Sequence, residues 1–522
     1  MSDTDEPTEL QVTFSPHLYL QRRGWVLDIM RREGITEVLD IGCGEGELLA
    51  CLCNPAPWLA PPPQDVLPPA TASDAGDDAA YTAVLEELHR TILHPRKISG
   101  LDICEDDLKC TVRITQPPPP PQDEETKSVW YRVPARWEDL EVNIWQGSLE
   151  HANPAFMDVE CIVATEVIEH LPEPVLDRFA PVILGAYRPR FLLITTPSYT
   201  FNARFTAPDA PPSARQGYPD PTGRTDRVFR HHDHKFEWTV DEFRAWCIAV
   251  AEEWGYEVVE FGGVGTAVEQ DEWGRDEQLG YASQVAAFRR REGEEWDARR
   301  VRRWMEVEMT RKSMARGAGE TAGTHHLLAA YQHPAHELSG RPQPLDVVGE
   351  LVVSKMVRFR ETSVSLNEIW FESEIERACG GWLDWLVRAI QIHEGLALHQ
   401  TPLGSSTFNE WVIQLAPALH HFIPPESHAD AWGTPPDTDE VEDLGDPFDD
   451  DDTLWMEDDG GGLVKGAGSG TGDETAYSEW GAAEVSARRD VDWGEPDSDG
   501  WGKVVDPAAW GAPEGGRTWG EW

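Results

Sequence analysis

The residues with the clearest chemical potential form a glycine-rich loop behind a short apolar run. Residues 37–41 read EVLDI and residues 42–46 read GCGEG, so a predicted strand runs into three alternating glycines. Glycine adopts positive φ angles and lets the backbone approach a ligand closely. In an open α/β sheet such a loop lies at the carboxyl end of a strand, where ligands bind. We therefore expect a small-molecule site at Gly42, Gly44 and Gly46.

Two acidic residues indicate which small molecule fits this loop. Asp40 lies inside the first predicted strand, just before the glycines, where it suits a cationic group better than a pyrophosphate. Asp102 ends a second predicted strand, where its carboxylate can accept both hydroxyls of an unphosphorylated ribose. The combination predicts S-adenosylmethionine as the ligand. A tight turn that holds no ligand is the alternative interpretation.

A second cluster follows the fourth predicted strand. Glu166, Glu169 and His170 fall within the run ATEVIEHL, and His234 lies in the later run FRHHDHKFEW. Two carboxylates and two imidazoles can hold one divalent cation and leave positions open for substrate oxygens. Imidazole ligands favour Mn²⁺, Co²⁺ or Zn²⁺, whereas cellular abundance favours Mg²⁺.

Plainer interpretations of the same residues stay open. The two glutamates could occupy the first turn of a helix and complement its dipole. His231 and His232 are interpreted as solvated loop residues, because loops run over protein surfaces.

The elements that must position these residues alternate between strands and helices over about residues 10–292. Such alternation predicts an α/β, Rossmann-like fold with a parallel-rich sheet and helices on both faces. Pro-rich stretches at 54–78 and 116–127 are interpreted as surface insertions into this domain. The predicted divisions are a short acidic N-terminus at 1–13, the α/β domain at 14–292, a mainly helical domain of unknown role at 293–423, and a disordered acidic tail at 424–522.

Composition narrows the class of protein. The net charge of −50 excludes a generally basic nucleic-acid binder but leaves room for a locally basic groove. Eight cysteines without a Cys-x-x-Cys pair argue against a disulfide scaffold or a zinc ribbon. A signal segment and a run of 18 apolar residues are both missing from the sequence, so we expect no membrane partner. We expect a cytoplasmic protein that can also be nuclear and is not secreted.

Several sequence blocks in a fixed order carry a family resemblance. They are FSP with LY and QR at 14–22, the DIGCG loop, LDI at 101–103, QGS at 146–148, EVIEHL at 166–171, TP at 196–197, DHKFEWT at 233–239 and GGVG at 262–265. Over about Phe14–Arg291 the chain resembles the small-RNA 3′-terminal 2′-O-methyltransferase family, which implies a class I methyltransferase fold. His17 and Ser198 depart from the family pattern, which has Pro and Asn there.

The resemblance implies a set of roles. The metal ligands would be Glu166, Glu169, His170 and His234, binding Mg²⁺ or Mn²⁺. The cofactor pocket would be lined by Gly46, Asp102 and Ser148 beside Asp40, Gly42 and Gly44. The substrate would be the 3′ end of a small single-stranded RNA, whose terminal 2′-hydroxyl receives the methyl group of S-adenosylmethionine. Arginines near 22–32, 224–230 and 289–303 are candidates to contact that RNA.

Two other functions are weighed against this one. The chain could be a non-catalytic scaffold that bridges RNA and an Argonaute protein, although a silent scaffold has no physical need for the carboxylate–histidine cluster. It could also be a small-molecule O-methyltransferase, which the DHKFEWT block disfavours.

The acidic tail contains a repeated Trp-Gly pair. The last four copies begin at Trp493, Trp501, Trp510 and Trp519, at spacings of 8, 9 and 9 residues. Exposed tryptophan in a flexible acidic chain suits insertion into separate pockets of a partner, where several weak contacts add through effective concentration. The pattern resembles the Argonaute-hook segments of silencing proteins, which implies an Argonaute or Piwi partner. Compositional drift in a Gly-rich tail is the alternative.

Overall fold

A mixed eight-stranded sheet organises the part of the chain that the structure describes. The structure is a computed structural model that describes residues 9–68, 85–119, 134–211, 214–314, 325–400 and 411–422. These residues belong to one unit, Met1–Pro425. The acidic tail and residues 120–127 of the second Pro-rich stretch lie outside the described ranges. No helix among the described residues is long and apolar enough to cross a membrane.

The strands of the large sheet and of a small two-stranded hairpin are β1 (Glu37–Ile41), β2 (Lys97–Asp102), β3 (Leu140–Gln146), β4 (Cys161–Thr165), β5 (Phe191–Pro197), β6 (Tyr218–Pro219), β7 (Val228–Phe229), β8 (Tyr256–Val264), β9 (Ser283–Arg290) and β10 (His326–His333), with β6 and β7 forming the hairpin. The spatial order in the large sheet is β10-β3-β2-β1-β4-β5-β9-β8. Strands β1 to β5 pair in parallel, whereas β9 runs antiparallel to both β5 and β8, and β10 runs antiparallel to β3. This arrangement confirms the predicted Rossmann-like class I methyltransferase fold.

Helices cover the sheet where apolar residues recur at helical spacing. Helix α1 ends at Gly34, whose φ of 61° places it in the left-handed region. Thr239 and Glu242 form a capping box at the start of the helix over Val240–Trp254, because each side chain accepts from the backbone N–H of the other. These helices are α1 (Leu18–Glu33), α2 (Glu47–Cys53), α3 (Glu105–Ile114), α4 (Glu173–Ala180), α5 (Val240–Trp254), α6 (Asp276–Leu279) and α7 (Glu294–Met314).

Residues 345–400 and 411–422 form a second layer with its own apolar core. Its helices are α8 (Leu345–Phe359), α9 (Leu366–Trp370), α10 (Ser373–Ala378) and α11 (Leu383–Ile392), and its strands are β11 (Ser363–Ser365), β12 (Leu396–Gln400) and β13 (Trp411–Leu415). The interpretation of 293–423 as mainly helical misses these three strands, which form a sheet of their own. It also misses β10, which extends the large sheet across the predicted boundary at 292/293 because its backbone pairs with the edge of β3.

We interpreted the first Pro-rich stretch, residues 54–78, as a surface insertion. Its described part is instead packed into a core. Trp58 is 1% exposed and belongs to the second core, where its ring lies 6.4 Å from that of Trp370. Leu59 N donates to Gly381 O at 2.8 Å. Burial of a large aromatic surface explains the placement, because it outweighs the tendency of prolines to stay at the surface. The stretch therefore connects the large sheet to the second layer.

Candidate functional site

The glycine loop between β1 and α2 has a backbone that other residue types would strain. Gly42, Gly44 and Gly46 have φ angles of 67°, 52° and 87°. A Cβ on Gly42 would lie 2.5 Å from a methyl of Val167, and one on Gly46 would lie 2.8 Å from the Thr111 methyl. Conformation and space therefore both require glycine at these two positions, as the sequence predicts for a loop that approaches a ligand.

The two predicted acids flank this loop. Asp40 is 3% exposed, and burial, with a smaller effect of nearby Asp102, raises its pKa to about 8. A cationic ligand group would favour the charged form of this carboxyl. The Asp102 carboxylate accepts from Gly44 N at 2.9 Å and from Cys104 N at 2.8 Å. Asp102 thus orders the loop itself, a role that its sequence position did not suggest.

An open cleft of about 340 Å³ lies along the loop. Asp40 and Gly42 line it, and Tyr19, Arg22 and Arg23 of α1 are on its wall. Such a volume falls within the usual range for small-molecule sites. The further lining residues are Val26, Cys43, Glu45, Glu47, Leu48, Thr165 and Glu166.

Ser148 lies in the loop after β3, and its hydroxyl bonds Glu150 Oε2 at 3.2 Å. Its role, like those of Gly44, Gly46 and Asp102 toward the cofactor, stays a prediction.

Glu166 connects the cleft with the carboxylate–histidine cluster. It follows β4 directly and has a φ of 55°, which is unusual for a residue with a side chain. Its N–H donates to Thr195 O at 3.0 Å, and its carboxylate accepts from the Thr195 hydroxyl at 2.8 Å. Arg22 Nη2 pairs with the other carboxylate oxygen at 2.8 Å. This network holds a strained residue at the wall of the cleft.

Glu169 is a fully buried carboxyl in the single 3₁₀ turn that follows. Oε2 accepts from the Thr196 hydroxyl at 3.0 Å, whereas Oε1 is buried without a hydrogen-bond partner among the described residues. Burial, together with the neighbouring Glu166 charge, raises the pKa of Glu169 well above its ordinary value. A buried carboxylate with an unmet oxygen is costly unless a cation neutralises it, so Glu169 fits a cation site.

Three imidazoles come together beside this turn. His170, His231 and His234 each offer a ring nitrogen, and these atoms lie within 4.8 Å of one another. Lys235 N donates to Glu169 O at 2.7 Å, which ties the later loop to the 3₁₀ turn. Within the described ranges this is the one group of three or more metal-competent side chains at such spacing. It contains two of the four predicted ligands, and the convergence of the glutamates on the same ion stays a prediction.

The buried Glu237 and the half-buried Asp233 orient two of these rings. His234 Nδ1 lies 2.7 Å from Glu237 Oε1, and His170 Nδ1 lies 3.2 Å from Asp233 Oδ2. With Nδ1 donating to a carboxylate, each ring keeps the Nε2 lone pair for a metal. Glu237 is 1% exposed and was missed as a functional residue. Its spacing of three residues from His234 in DHKFEW was the available signal.

His231 is not the solvated loop residue that we expected. It is half-buried, and its ring centroid lies 5.7 Å from that of His170 and 5.2 Å from that of His234. Burial and the adjacent imidazoles lower its pKa to about 4, so the ring is neutral. Its Nδ1 accepts from Asp233 N at 3.2 Å, which leaves the proton on Nε2 and makes the ring a donor. His232 is exposed, as predicted.

Comparison with known proteins finds several proteins that are named small RNA 2′-O-methyltransferases. The chain is 29% identical over 278 residues to the small RNA 2′-O-methyltransferase of Gallus gallus, covering 53% of this chain and 55% of the relative. It is 34% identical over 192 residues to that of Xenopus tropicalis, covering 37% of this chain and 42% of the relative. It is 26% identical over 277 residues to that of Arabidopsis thaliana, covering 53% of this chain and 23% of the relative. No family model matches the chain.

The chain thus spans about half or less of the length of these curated relatives. The names of these relatives agree with the family that the sequence resembles. Over about half of its own length, the chain is similar to the small RNA 2′-O-methyltransferases.

Proposed function

We propose that this protein transfers a methyl group from S-adenosylmethionine to the 2′-hydroxyl of the 3′-terminal ribose of small silencing RNAs, with the help of a divalent cation. The observation that carries the proposal is the position of Glu166. It lines the glycine-loop cleft and directly precedes the turn that bears Glu169 and His170. A methyl donor in the cleft and a substrate oxygen at the cluster would therefore be neighbours.

The residues present suit a divalent cation. Glu169 has a buried oxygen without a partner, and His170 and His234 are oriented with Nε2 free by Asp233 and Glu237. Glu166, Glu169, His170 and His234 would hold the ion. A bound Mg²⁺ or Mn²⁺ would act as a Lewis acid that binds both vicinal hydroxyls of the terminal ribose and lowers the pKa of the 2′-hydroxyl.

The remaining work falls to groups of the chain itself. Asp40 would bind the cationic amino-acid end of the cofactor. The glycine loop has no side chains at Gly42, Gly44 and Gly46, so the cofactor could lie close to its backbone. Arg22 holds the Glu166 carboxylate at 2.8 Å and so fixes the wall between the two sites. The sulfonium methyl is already an activated electrophile, so the protein needs to position it in line with the oxygen rather than form a covalent intermediate.

A methyl-transfer assay with the full chain tests the proposal. The protein is incubated with labelled S-adenosylmethionine, Mn²⁺ or Mg²⁺, and a single-stranded RNA of about 22 nucleotides, and the product is then treated with periodate. We expect label on the RNA and protection of its 3′ end. RNAs that end in a 2′-deoxy or 3′-phosphate sugar should stay unlabelled, because two-point binding fails.

Two variants sharpen the assay. His234→Ala should abolish transfer and leave cofactor binding intact, whereas Glu173→Gln, on the exposed surface, should behave as wild type. Label on RNA that remains sensitive to periodate would refute transfer to the terminal 2′-hydroxyl. RNA binding without any methyl transfer would favour the non-catalytic scaffold. Transfer to small molecules alone would favour a small-molecule O-methyltransferase.

The Trp-Gly tail gives a second element of the proposal. It lies outside the described residues, so its support is the sequence pattern of six Trp-Gly pairs within residues 432–520. We propose that it recruits the protein to an Argonaute or Piwi protein that carries small RNA. Changing Trp493, Trp501, Trp510 and Trp519 to Ala should abolish capture of purified Argonaute while leaving transfer to free RNA unchanged. Undiminished capture would remove the idea.

A further inference from the structure

An RNA end has to meet positive charge near the cluster, and most arginines there are already neutralised. Each of the following cations lies beside a carboxylate, which leaves little of its charge for a phosphate. The pairs are Arg22 with Glu166 (2.8 Å), Arg23 with Glu47, Arg224 with Glu173 (3.1 Å), Arg227 with Glu242 (2.8 Å), Arg230 with Glu9 (2.7 Å) and Lys235 with Asp233 (2.8 Å).

The other arginines that the sequence offers as RNA contacts, at 289–303 and in the last turn of α1, lie at the opposite end of the strands from the histidine cluster. Strand β9 pairs with β5 so that Ser283 lies opposite Pro197 and Arg289 lies opposite Phe191. The cluster is at the Pro197 end, because Thr196 contacts Glu169. Residues 289–303 therefore begin about 20 Å away, the length of a seven-residue strand. Helix α1 similarly carries its last-turn arginines toward the amino end of β1.

Arg215 is different from these residues. Its Nη1 donates to the Tyr199 hydroxyl at 3.2 Å, and its guanidinium carbon lies 5.9 Å from the centre of that ring. Within the described ranges it has no carboxylate partner. The side chain is only partly buried, so its remaining N–H groups can reach an incoming ligand.

Tyr199 connects this guanidinium to the segment that carries Glu237. It follows β5 by two residues, and its N–H donates to Trp238 O at 2.9 Å, in the strand-like segment that carries Glu237. The Arg227 guanidinium lies 4.7 Å from the same ring and is held by both oxygens of Glu242. The ring therefore has a rigid support, and Arg215 has a fixed orientation at little entropic cost.

We propose that Arg215, oriented by the Tyr199 hydroxyl, binds a phosphodiester close to the 3′-terminal ribose of the RNA. The assignment rests on the proposed function. A guanidinium matches phosphate oxygens through its planar set of donors, and one of its five N–H groups is used by Tyr199. The contact positions the backbone without reading a base, so it should act on every RNA sequence alike.

Equilibrium binding of a fluorescent RNA over a salt series tests this residue. The full-length wild type, Arg215→Ala and Arg224→Ala are titrated with a 5′-labelled 22-nucleotide single-stranded RNA between 50 and 300 mM salt, in EDTA. We expect Arg215→Ala to bind about tenfold more weakly, as for loss of one charge-assisted bond. The slope of log affinity against log salt should fall by about 0.7, the value for one phosphate contact to a single strand.

Arg224→Ala is the matched control. It removes the same charge from the neighbouring β6–β7 region, but Glu173 already neutralises that arginine, so the slope should stay at the wild-type value. In the methyl-transfer assay, Arg215→Ala should raise KM for RNA while kcat stays within about twofold. Should Arg215→Ala unfold early on heating, Arg215→Gln keeps a donor for Tyr199, removes the charge, and carries the same expectation.

The possible results separate the inference from the function beneath it. A wild-type salt slope in both Arg215 variants, in a protein that binds and methylates RNA, would overturn the Arg215 assignment alone. Equal losses in Arg215→Ala and Arg224→Ala would overturn it as well, since they would indicate general attraction. A wild type that does not bind RNA would overturn the proposed function and the assignment with it.

Discussion

Substitutions of Glu237 offer the sharpest test of how His234 is held in the cluster. Its buried carboxylate accepts three hydrogen bonds, from His234 Nδ1 at 2.7 Å, Asn202 Nδ2 at 2.6 Å and Arg230 N at 2.7 Å. Hydrogen bonds to a charged group contribute about 1.5–3 kcal/mol each. Glu237→Ala would leave three donors unpaired, and local relaxation would recover part of the loss. We therefore expect its free energy of unfolding to fall by about 3–5 kcal/mol.

Glu237→Gln separates the charge from the packing. Its amide oxygen can still accept from His234 and Arg230, and Asn202 can rotate its amide to receive the new NH₂ group. We expect a loss of only about 1 kcal/mol in stability. Because the ring of His234 becomes a weaker base, affinity for Mn²⁺ should fall about 10–100-fold.

Urea unfolding in EDTA and calorimetric Mn²⁺ titration measure the two effects separately. Glu173→Gln is the control, since its exposed pair with Arg224 should contribute under about 1 kcal/mol to stability and nothing to metal binding. The reasoning fails if Glu237→Gln keeps wild-type Mn²⁺ affinity in a protein whose affinity His234→Ala abolishes. Loss of affinity in the Glu173 control would refute it equally.

Three further results are expected. Gly42→Ala should abolish S-adenosylmethionine binding in a calorimetric titration, because its Cβ would lie 2.5 Å from Val167 at a φ of 67°. Folding raises the pKa of Asp40 from 3.8 to about 8, so its contribution to the free energy of unfolding should be fully present below pH 4 and lost as the pH rises to 8. Urea unfolding at several pH values measures this profile, which Asp40→Asn should flatten. Trp58→Ala should lower the free energy of unfolding by about 3–5 kcal/mol, as for a large cavity, and a loss under 1 kcal/mol would show that the Pro-rich stretch is not part of the core.

The large sheet and its glycine loop could be predicted because their signals are local. A strand that ends in three alternating glycines has few other uses, and the capping box at Thr239 marks the start of a helix from four residues alone. The edge strand β10 gave no such signal. Its pairing with β3 joins residues about 190 apart, and five of its eight residues are exposed, so neither burial nor spacing assigned it to the sheet.

The site was predictable only in part for a related reason. Sequence could nominate His170 and His234, but their use depends on which ring nitrogen is free, and that is decided by Asp233 and Glu237. His231 was misjudged because a histidine pair in a polar loop is usually solvated. Its place in the cluster follows from the bond between Lys235 N and Glu169 O, a contact between segments more than 60 residues apart.

Charge shows most clearly why counting residue types falls short here. In a chain with 94 acidic and 44 basic residues, an arginine will usually find a carboxylate, so a run of arginines says little about available positive charge. The run at 289–303 attracts attention in the sequence, yet it lies at the far end of β9, whereas Arg215 stands alone in the sequence. Availability depends on the partner, and Arg215 is bonded to a neutral hydroxyl rather than to an acid. An acidic protein can thus present an effective cation to a polyanion where the bonded partner of an arginine is neutral.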